Sequence, residues 1–233
     1  MRTDAHVIGF VGTDKHDIIS YLAQILQVAG RKVLLIDDSE TQALHCSIFY
    51  PIAMNPTINS VEYNNFTFVS KKPLANVEEL EKFTDIIIDF GYHVSHPDLQ
   101  HCTFVNFVTD LQKHNALRLL NVKVPERVNR PERSIEVKKT LLIRDIVKCK
   151  ITSDYIKELT KSLGVTDENS YLVELDETDY ILKLHSQYNS VYQFKQLSNH
   201  FKSYLESVVQ KEFELNDSDF YKLWKIAEGG NKR

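Results

Sequence analysis

The chain has 233 residues, 42% of them apolar and 26% charged, with a formal net charge of −4. That balance describes an ordinary soluble globular protein and excludes one that binds polyanions with its whole surface. Seven glycines and three widely spaced cysteines (Cys46, Cys102, Cys149) exclude a glycine-rich or disulfide-built chain, so a reducing, cytoplasmic setting is expected.

MRTDAH at the N-terminus leads straight into apolar sequence, so no signal peptide is expected. Val7 to Val11 (VIGFV) is a short apolar run closed by Gly12 and reads as a strand. From Asp17 the pattern becomes helical. Ile18, Tyr21, Leu22, Ile25, Leu26 and Ala29 share one face, and Gly30 ends the helix. Val33-Leu-Leu-Ile36 is continuously apolar, as a parallel strand buried on both sides must be, and Asp37-Asp38 stops it. Strand, short loop, helix, glycine turn and strand make a βαβ unit, so this part of the sheet is expected to be parallel.

Further strands are predicted at 65–69, 85–90 and 102–108, and helices at 77–83 and 110–120. Residues 121–150 change character. Pro125 and Pro131 interrupt regular structure, and nine basic residues against four acidic ones give +5 locally and leave −9 elsewhere. A strand is predicted at 141–147, then a helix at 152–163, a strand at 170–175, and helices at 176–186, 197–213 and 217–227. One α/β domain is expected over 1–215, followed over 216–233 by a short C-terminal helix and a disordered tail.

Several segments then carry a resemblance. Ala29 to Asp37 (AGRKVLLID) resembles the "AGKKVLLIDxD" segment of MinD/ParA-type deviant Walker ATPases. Upstream, Ile18 to Leu26 (IISYLAQIL) is similar to that family's P-loop helix, "TTxxxNLAxxLA". Downstream, Thr84 to Gly91 (TDIIIDFG) resembles its Walker B-like "YDxIIIDxG". Late in the chain, VELDETDY (173–180) and FKQLSNHFK (194–202) resemble the family's C-terminal part. The resemblance covers most of residues 5–213. It implies an α/β fold with a mostly parallel sheet flanked by helices on both faces, in the P-loop NTPase (MinD/ParA-like) architecture.

A working phosphate loop needs glycines that turn backbone N–H groups toward the phosphates. It also needs a Lys for the β- and γ-phosphates and a Ser or Thr hydroxyl for Mg²⁺. In the family the loop reads "GKGGVGKTT", and its early signature Lys reaches across an ATP-bound dimer. The corresponding stretch here is GFVGTDKHD, residues 9–17. A gapless match puts Lys15 at the P-loop Lys, Phe10 at the signature Lys, Val11 and Gly12 at the middle glycines, Asp14 at the last glycine and His16 at the Mg-binding Thr. That match consumes the first strand. The alternative keeps the strand, shortens the loop by two or three residues, and no longer requires Lys15 to face a phosphate. By either match Asp14 and Asp17 bring negative charge to the phosphates. One such repulsion at ~4 Å and an effective dielectric of ~20 is about 4 kcal/mol.

The resemblance places Asp37 at the first Asp of the family's "DxD", where it would orient attacking water, with Ser39 at the second. Asp89 matches the Asp that supports Mg²⁺ through water. With the loop's own chemistry missing, a degenerate P-loop is expected. On that reading the protein has no catalytic residue, Asp37 and Asp89 are remnants, and no cofactor or metal is held. The alternative is a weak ATPase that binds ATP and Mg²⁺ through Gly12, Thr13, Lys15 and His16 and dimerises on nucleotide.

Other features point less far. His93, His96, His101 and Cys102 cluster after the Asp89 strand, but their spacing matches no metal motif. The basic stretch reads as a solvated face without a base-reading module, so nucleic acid is not expected as a partner. The last helix places Phe220, Leu223, Trp224 and Ala227 on one face with only Lys222 and Lys225 as cations. It is expected to pack on the domain or on a partner, with membrane contact at most peripheral. Through the resemblance, the expected role is an adaptor or spatial organiser of a bacterial assembly (pilus, secretion, partition or division). Protein partners, and a homodimer as one possible state, complete the expectation.

Overall fold

The computed structural model of the protein describes residues 5–47, 60–63, 66–70, 73–93, 95–130, 133–189, 192–213 and 216–229. Its elements begin with β1 (His6–Gly12), α1 (His16–Val28), β2 (Val33–Asp37), the single turn α2 (Ala43–Cys46), β3 (Val61–Tyr63) and β4 (Phe66–Ser70). There follow β5 (Asp85–Asp89), β6 (Phe104–Thr109), α3 (Lys113–Leu119), β7 (Arg127–Arg130), β8 (Arg133–Glu136) and β9 (Lys138–Ile146). The chain closes with α4 (Ser153–Thr160), β10 (Ser170–Glu174), α5 (Glu177–Asn189), α6 (Asn199–Phe213) and α7 (Asp217–Gly229).

Eight strands form one sheet in the order β10-β9-β6-β1-β5-β2-β4-β3. All neighbours are parallel except β3 and β4. The apolar runs explain this. Ile8, Phe10, Leu35 and Ile87 face one core layer, whereas Val7, Val11, Leu34, Ile36, Ile86 and Ile88 face the other. A strand buried on both faces must be apolar at every position, and helices must cover both sides. α1, α5, α6 and α7 supply the first layer, and α3 and α4 the second. This is the layered, mostly parallel α/β architecture that the sequence implies.

Two local expectations are corrected. The helix predicted at 77–83 is a single 3-10 turn, Leu80–Lys82, entered through Glu79 in a left-handed conformation (φ 57°). Only Leu80 of that turn is buried, too little apolar face to hold an α-helix there. Inside the basic stretch, β7 and β8 form an antiparallel pair. β9 begins before the predicted 141, because its polar start pairs with β6 in the register Phe104↔Lys138.

α7 lies against α1 and α6. Its face of Phe220, Trp224 and Ala227 is buried, and Trp224 meets the rings of Phe194 (5.1 Å) and Phe220 (5.6 Å). Residues 230–233 of the expected tail, and Asn65 and Pro131, lie outside the described residues. Among the described residues no helix is long and apolar enough to cross a membrane.

Trp224 is 1% exposed, so Trp224→Ala is expected to lower the unfolding free energy by roughly 3–5 kcal/mol in urea titrations. Tyr221→Ala, on the exposed side of the same helix, is expected to change it by no more than about 0.5 kcal/mol.

Candidate functional site

β1 runs through Gly12 and α1 starts at His16, so only Thr13, Asp14 and Lys15 connect them. The strand keeps VIGFVG and the loop is short. Gly12 is required where it stands. Its φ is +119°, and a Cβ there would lie 1.9 Å from the carbonyl oxygen of Val108 on β6. Its N–H donates to the Gly91 carbonyl (2.7 Å), and that of Thr13 to the Val108 carbonyl (3.0 Å). Two backbone donors of the loop thus bind the neighbouring strand ends.

Lys15 is buried. Its Nζ donates to the Gly12 carbonyl at 2.8 Å and pairs with Asp89 Oδ1 at 2.7 Å. Asp89 ends β5 in direct register with Asp37 at the end of β2. Burial pushes the Asp89 carboxyl above the ordinary range; Lys15 opposes that, and the neighbouring Asp37 carboxylate adds to it. Asp89 Oδ1 also accepts the Gly91 N–H (2.8 Å). Asp37 accepts from the Ser39 N–H (3.0 Å) and hydroxyl (2.6 Å) and from the His45 N–H (2.8 Å). Ser39 therefore braces Asp37.

Asp14 and Asp17 have partners that no local pattern shows. Arg144, near the end of β9, holds both Asp17 oxygens (2.7 and 2.8 Å) and the Asp14 carbonyl (2.7 Å). Lys183, on the inner face of α5, reaches Asp14 Oδ2 at 2.5 Å. The His16 ring sits between Asp14 Oδ1 (2.9 Å to Nδ1) and the Gln187 amide (2.7 Å to Nε2). Burial alone would raise the Asp17 carboxyl, but the Arg144 guanidinium outweighs it and holds Asp17 below the usual carboxylate range. For Asp14 burial is likewise outweighed, by His16 and then Lys183. The repulsion expected from Asp14 and Asp17 is thereby corrected, because internal cations neutralise both charges. The one legible hint was Arg144 itself, a cation set inside the apolar run LLIRDI.

The histidine cluster has a structural role. The His96 ring meets Asp38 Oδ2 at 2.5 Å, and the His93 ring meets the Asp38 carbonyl at 2.9 Å. Both tie the segment after β5 to the end of β2. His101 closes a 3-10 turn, and the buried Cys102 thiol donates to the Asp98 carbonyl. Among the described residues no group of three or more His, Cys, Asp or Glu side chains is placed to hold a metal ion.

A magnesium triphosphate does not fit the loop as it stands. The cation Lys15 is engaged by Asp89, the Gly12 and Thr13 N–H groups are engaged by carbonyls, and no Ser or Thr follows directly on Lys15. Asp37, Asp89 and Lys15 are nevertheless brought together at the carboxyl ends of adjoining strands, where an open α/β sheet places its ligands.

No family model and no curated protein sequence matches the chain. Solved structures do. MinD, a cell division protein of Aquifex aeolicus, aligns over 91% of this chain and 99% of its own with 12% identity and a TM-score of 0.58. A ParA family ATPase from Chlorobium tepidum TLS covers 87% of this chain and 98% of its own at 17% identity, TM-score 0.54. Cobyrinic acid a,c-diamide synthase from Mycobacterium smegmatis covers 88% and 94% at 12% identity, TM-score 0.52, and was solved with an ATP analog and magnesium. These likenesses show a MinD/ParA-like P-loop fold. They overturn the expectation of no cofactor, since a neighbour of this fold holds an ATP analog with magnesium. One part of the basis of that expectation, uncompensated charge on Asp14 and Asp17, is removed by Arg144 and Lys183, whereas the missing glycines and hydroxyl stand as the sequence has them.

Arg144→Met leaves the Asp17 carboxylate buried without its partner and is expected to destabilise the fold by roughly 3–5 kcal/mol at pH 7. Wild-type Asp17 has a depressed pKa, so its stabilisation is present above about pH 4 and lost as pH falls further. In the variant Asp17 protonates readily. The stability gap between the two proteins is therefore expected to shrink from pH 7 to pH 3, as read by urea midpoints.

Proposed function

On a MinD/ParA-like P-loop fold, we propose that this protein is a cytoplasmic adaptor or spatial organiser of a bacterial assembly, working through protein partners and without efficient ATP hydrolysis. The observation that carries this reading is the buried pair of Lys15 and Asp89. Hydrolysis requires a cation on the transferred phosphoryl group and a hydroxyl ligand for the metal. Here the cation rests on a carboxylate, and the residue after it, His16, carries no hydroxyl. Residues 1–215 are the working domain, with the C-terminal helix packed upon it.

The fold neighbours point to ATP with magnesium as the ligand class. Gly12, Thr13, Lys15 and His16 are the residues that would meet it, and Lys15 must first leave Asp89. A second reading is a weak ATPase that dimerises on nucleotide. It is favoured by the register that sets Asp37 beside Asp89 and Lys15.

Phosphate release at saturating Mg-ATP is expected at about 0.01 s⁻¹ or slower, a hundredfold below the ~1 s⁻¹ at the low end of ordinary turnover. Turnover above ~1 s⁻¹ that disappears in Lys15→Ala would overturn the adaptor reading in favour of the second. Thermal stability supplies a binding readout. A ligand at 100 times its Kd protects by about 2.7 kcal/mol. Asp89→Asn, which weakens the hold on Lys15, is expected to gain more protection from 1 mM Mg-ATP than the wild type does.

A further inference from the structure

α1 and α5 are both thirteen residues long, but they are held to the domain differently. α1 buries ten residues, Ile18, Ile19, Leu22, Ile25 and Leu26 among them. Over residues 177–188, α5 buries Leu182, Lys183 and Ser186, and of these Leu182 alone is apolar. A helix of this length is marginal in water by itself. Polar contacts therefore carry much of the hold on α5. Asp179, in its first turn, accepts from the Ser198 N–H and hydroxyl. Further along, Lys183 pairs with Asp14 and Gln187 meets the His16 ring. Lys183 and Gln187 are four residues apart, so they share one face.

The two anchors fall on either side of Lys15. Asp14 precedes it in the loop, and His16 follows it at the start of α1. A phosphate can use the Lys15 ammonium only after it leaves Asp89, and that requires the backbone around Lys15 to move. α5 holds that backbone before and after the lysine. β9 adds one bond, from Arg144 to the Asp14 carbonyl (2.7 Å), but β9 is a paired strand of the sheet between β6 and β10. Of the two supports, α5 is the one lightly enough packed to let go, as locally weak elements do.

We propose that α5 is a strap that keeps the loop closed to anions, with Lys183 and Gln187 as its positioning residues, and that the docked strap and a phosphate-bearing ligand exclude one another. The inference rests on the reading of ATP with magnesium as the ligand class, and it adds the regulation of that site. Linkage makes the effect reciprocal. Ligand on the loop loosens α5, and loosening α5 raises the affinity of the loop.

The test uses the full chain, with Mg-ATP affinity read from thermal protection and α5 followed by hydrogen–deuterium exchange of residues 177–188. Lys183→Met and Gln187→Ala are each expected to tighten Mg-ATP about tenfold, a coupling of ordinary size. Lys183→Arg keeps the cation and is expected to stay within about twofold of the wild type. Lys157→Met breaks an exposed pair with Asp167 on α4 and is likewise expected to change affinity by less than about twofold. Without ligand, Asp14→Asn is expected to speed exchange over 177–188 about tenfold while β1 and β5 keep their protection. Gln187→Ala carries the affinity test should Lys183→Met lose its fold. Unchanged exchange of α5 in Asp14→Asn overturns the proposal. So does Mg-ATP affinity that rises in Asp89→Asn but not in Lys183→Met or Gln187→Ala, a result that keeps the ligand class and removes the strap. No protection of any variant by Mg-ATP, Asp89→Asn included, overturns the proposal through its ligand, and the exchange measurement tells that failure from a failure of the strap.

Discussion

An ammonium group buried at the carboxyl edge of the sheet sets the geometry around it. Lys15 cannot stay charged there without a partner, because an unpaired buried charge is far costlier than any contact it could make. The loop that holds it has three residues between β1 and α1, so its ammonium has little freedom of reach. It settles on the Gly12 carbonyl and Asp89. Fixing Lys15 fixes the start of α1, and with it the depth at which Ile18, Ile19 and Leu22 enter the core. The close approach of Gly12 to Val108 ties the same loop to β6.

The remaining charges follow in sequence. Asp17 lies in the first turn of a buried helix and has both oxygens taken by Arg144. Asp14, more exposed, is met by Lys183 and His16. Three cations and four carboxylates, counting Asp37 and Asp89, thus occupy the edge where the fold's ligands sit. Their pairing explains how acidic residues survive in a phosphate-loop position. Each is compensated from within, by β9, by α5 or by the loop itself. The acids therefore say little about affinity for an anion. What opposes a phosphate is the commitment of Lys15 and of the two backbone donors, and those commitments are reversible contacts.

Much of the fold was legible because buried parallel strands leave a plain trace. VIGFV, VLLI and DIIID are apolar at every position, and the glycine turn at Gly30 separates helix from strand. The order of these segments carried the family resemblance even where the loop letters did not. Elements with polar pairing positions left no such trace. The β7–β8 pair and the first residues of β9 are strands because of their neighbours. Site partners were hidden for a different reason. Arg144 and Lys183 reach their carboxylates across sequence separations of 127 and 169 residues, and only the sheet order brings them there. Arg144 alone gave a sign, as a cation in an apolar run.

α5 joins the charge network to the outer surface. On its inner face Lys183 and Gln187 hold Asp14 and His16, while Tyr180, Ile181, Leu184 and Tyr188 are exposed on the other side. A helix pinned on one side by polar contacts to a loop cannot shift without disturbing them, since such bonds weaken steeply with distance and angle. The loop in turn cannot open toward a bulky anion without moving Asp14 and His16 against Lys183 and Gln187. Loop geometry and α5 position are thus two coordinates of one rigid arrangement.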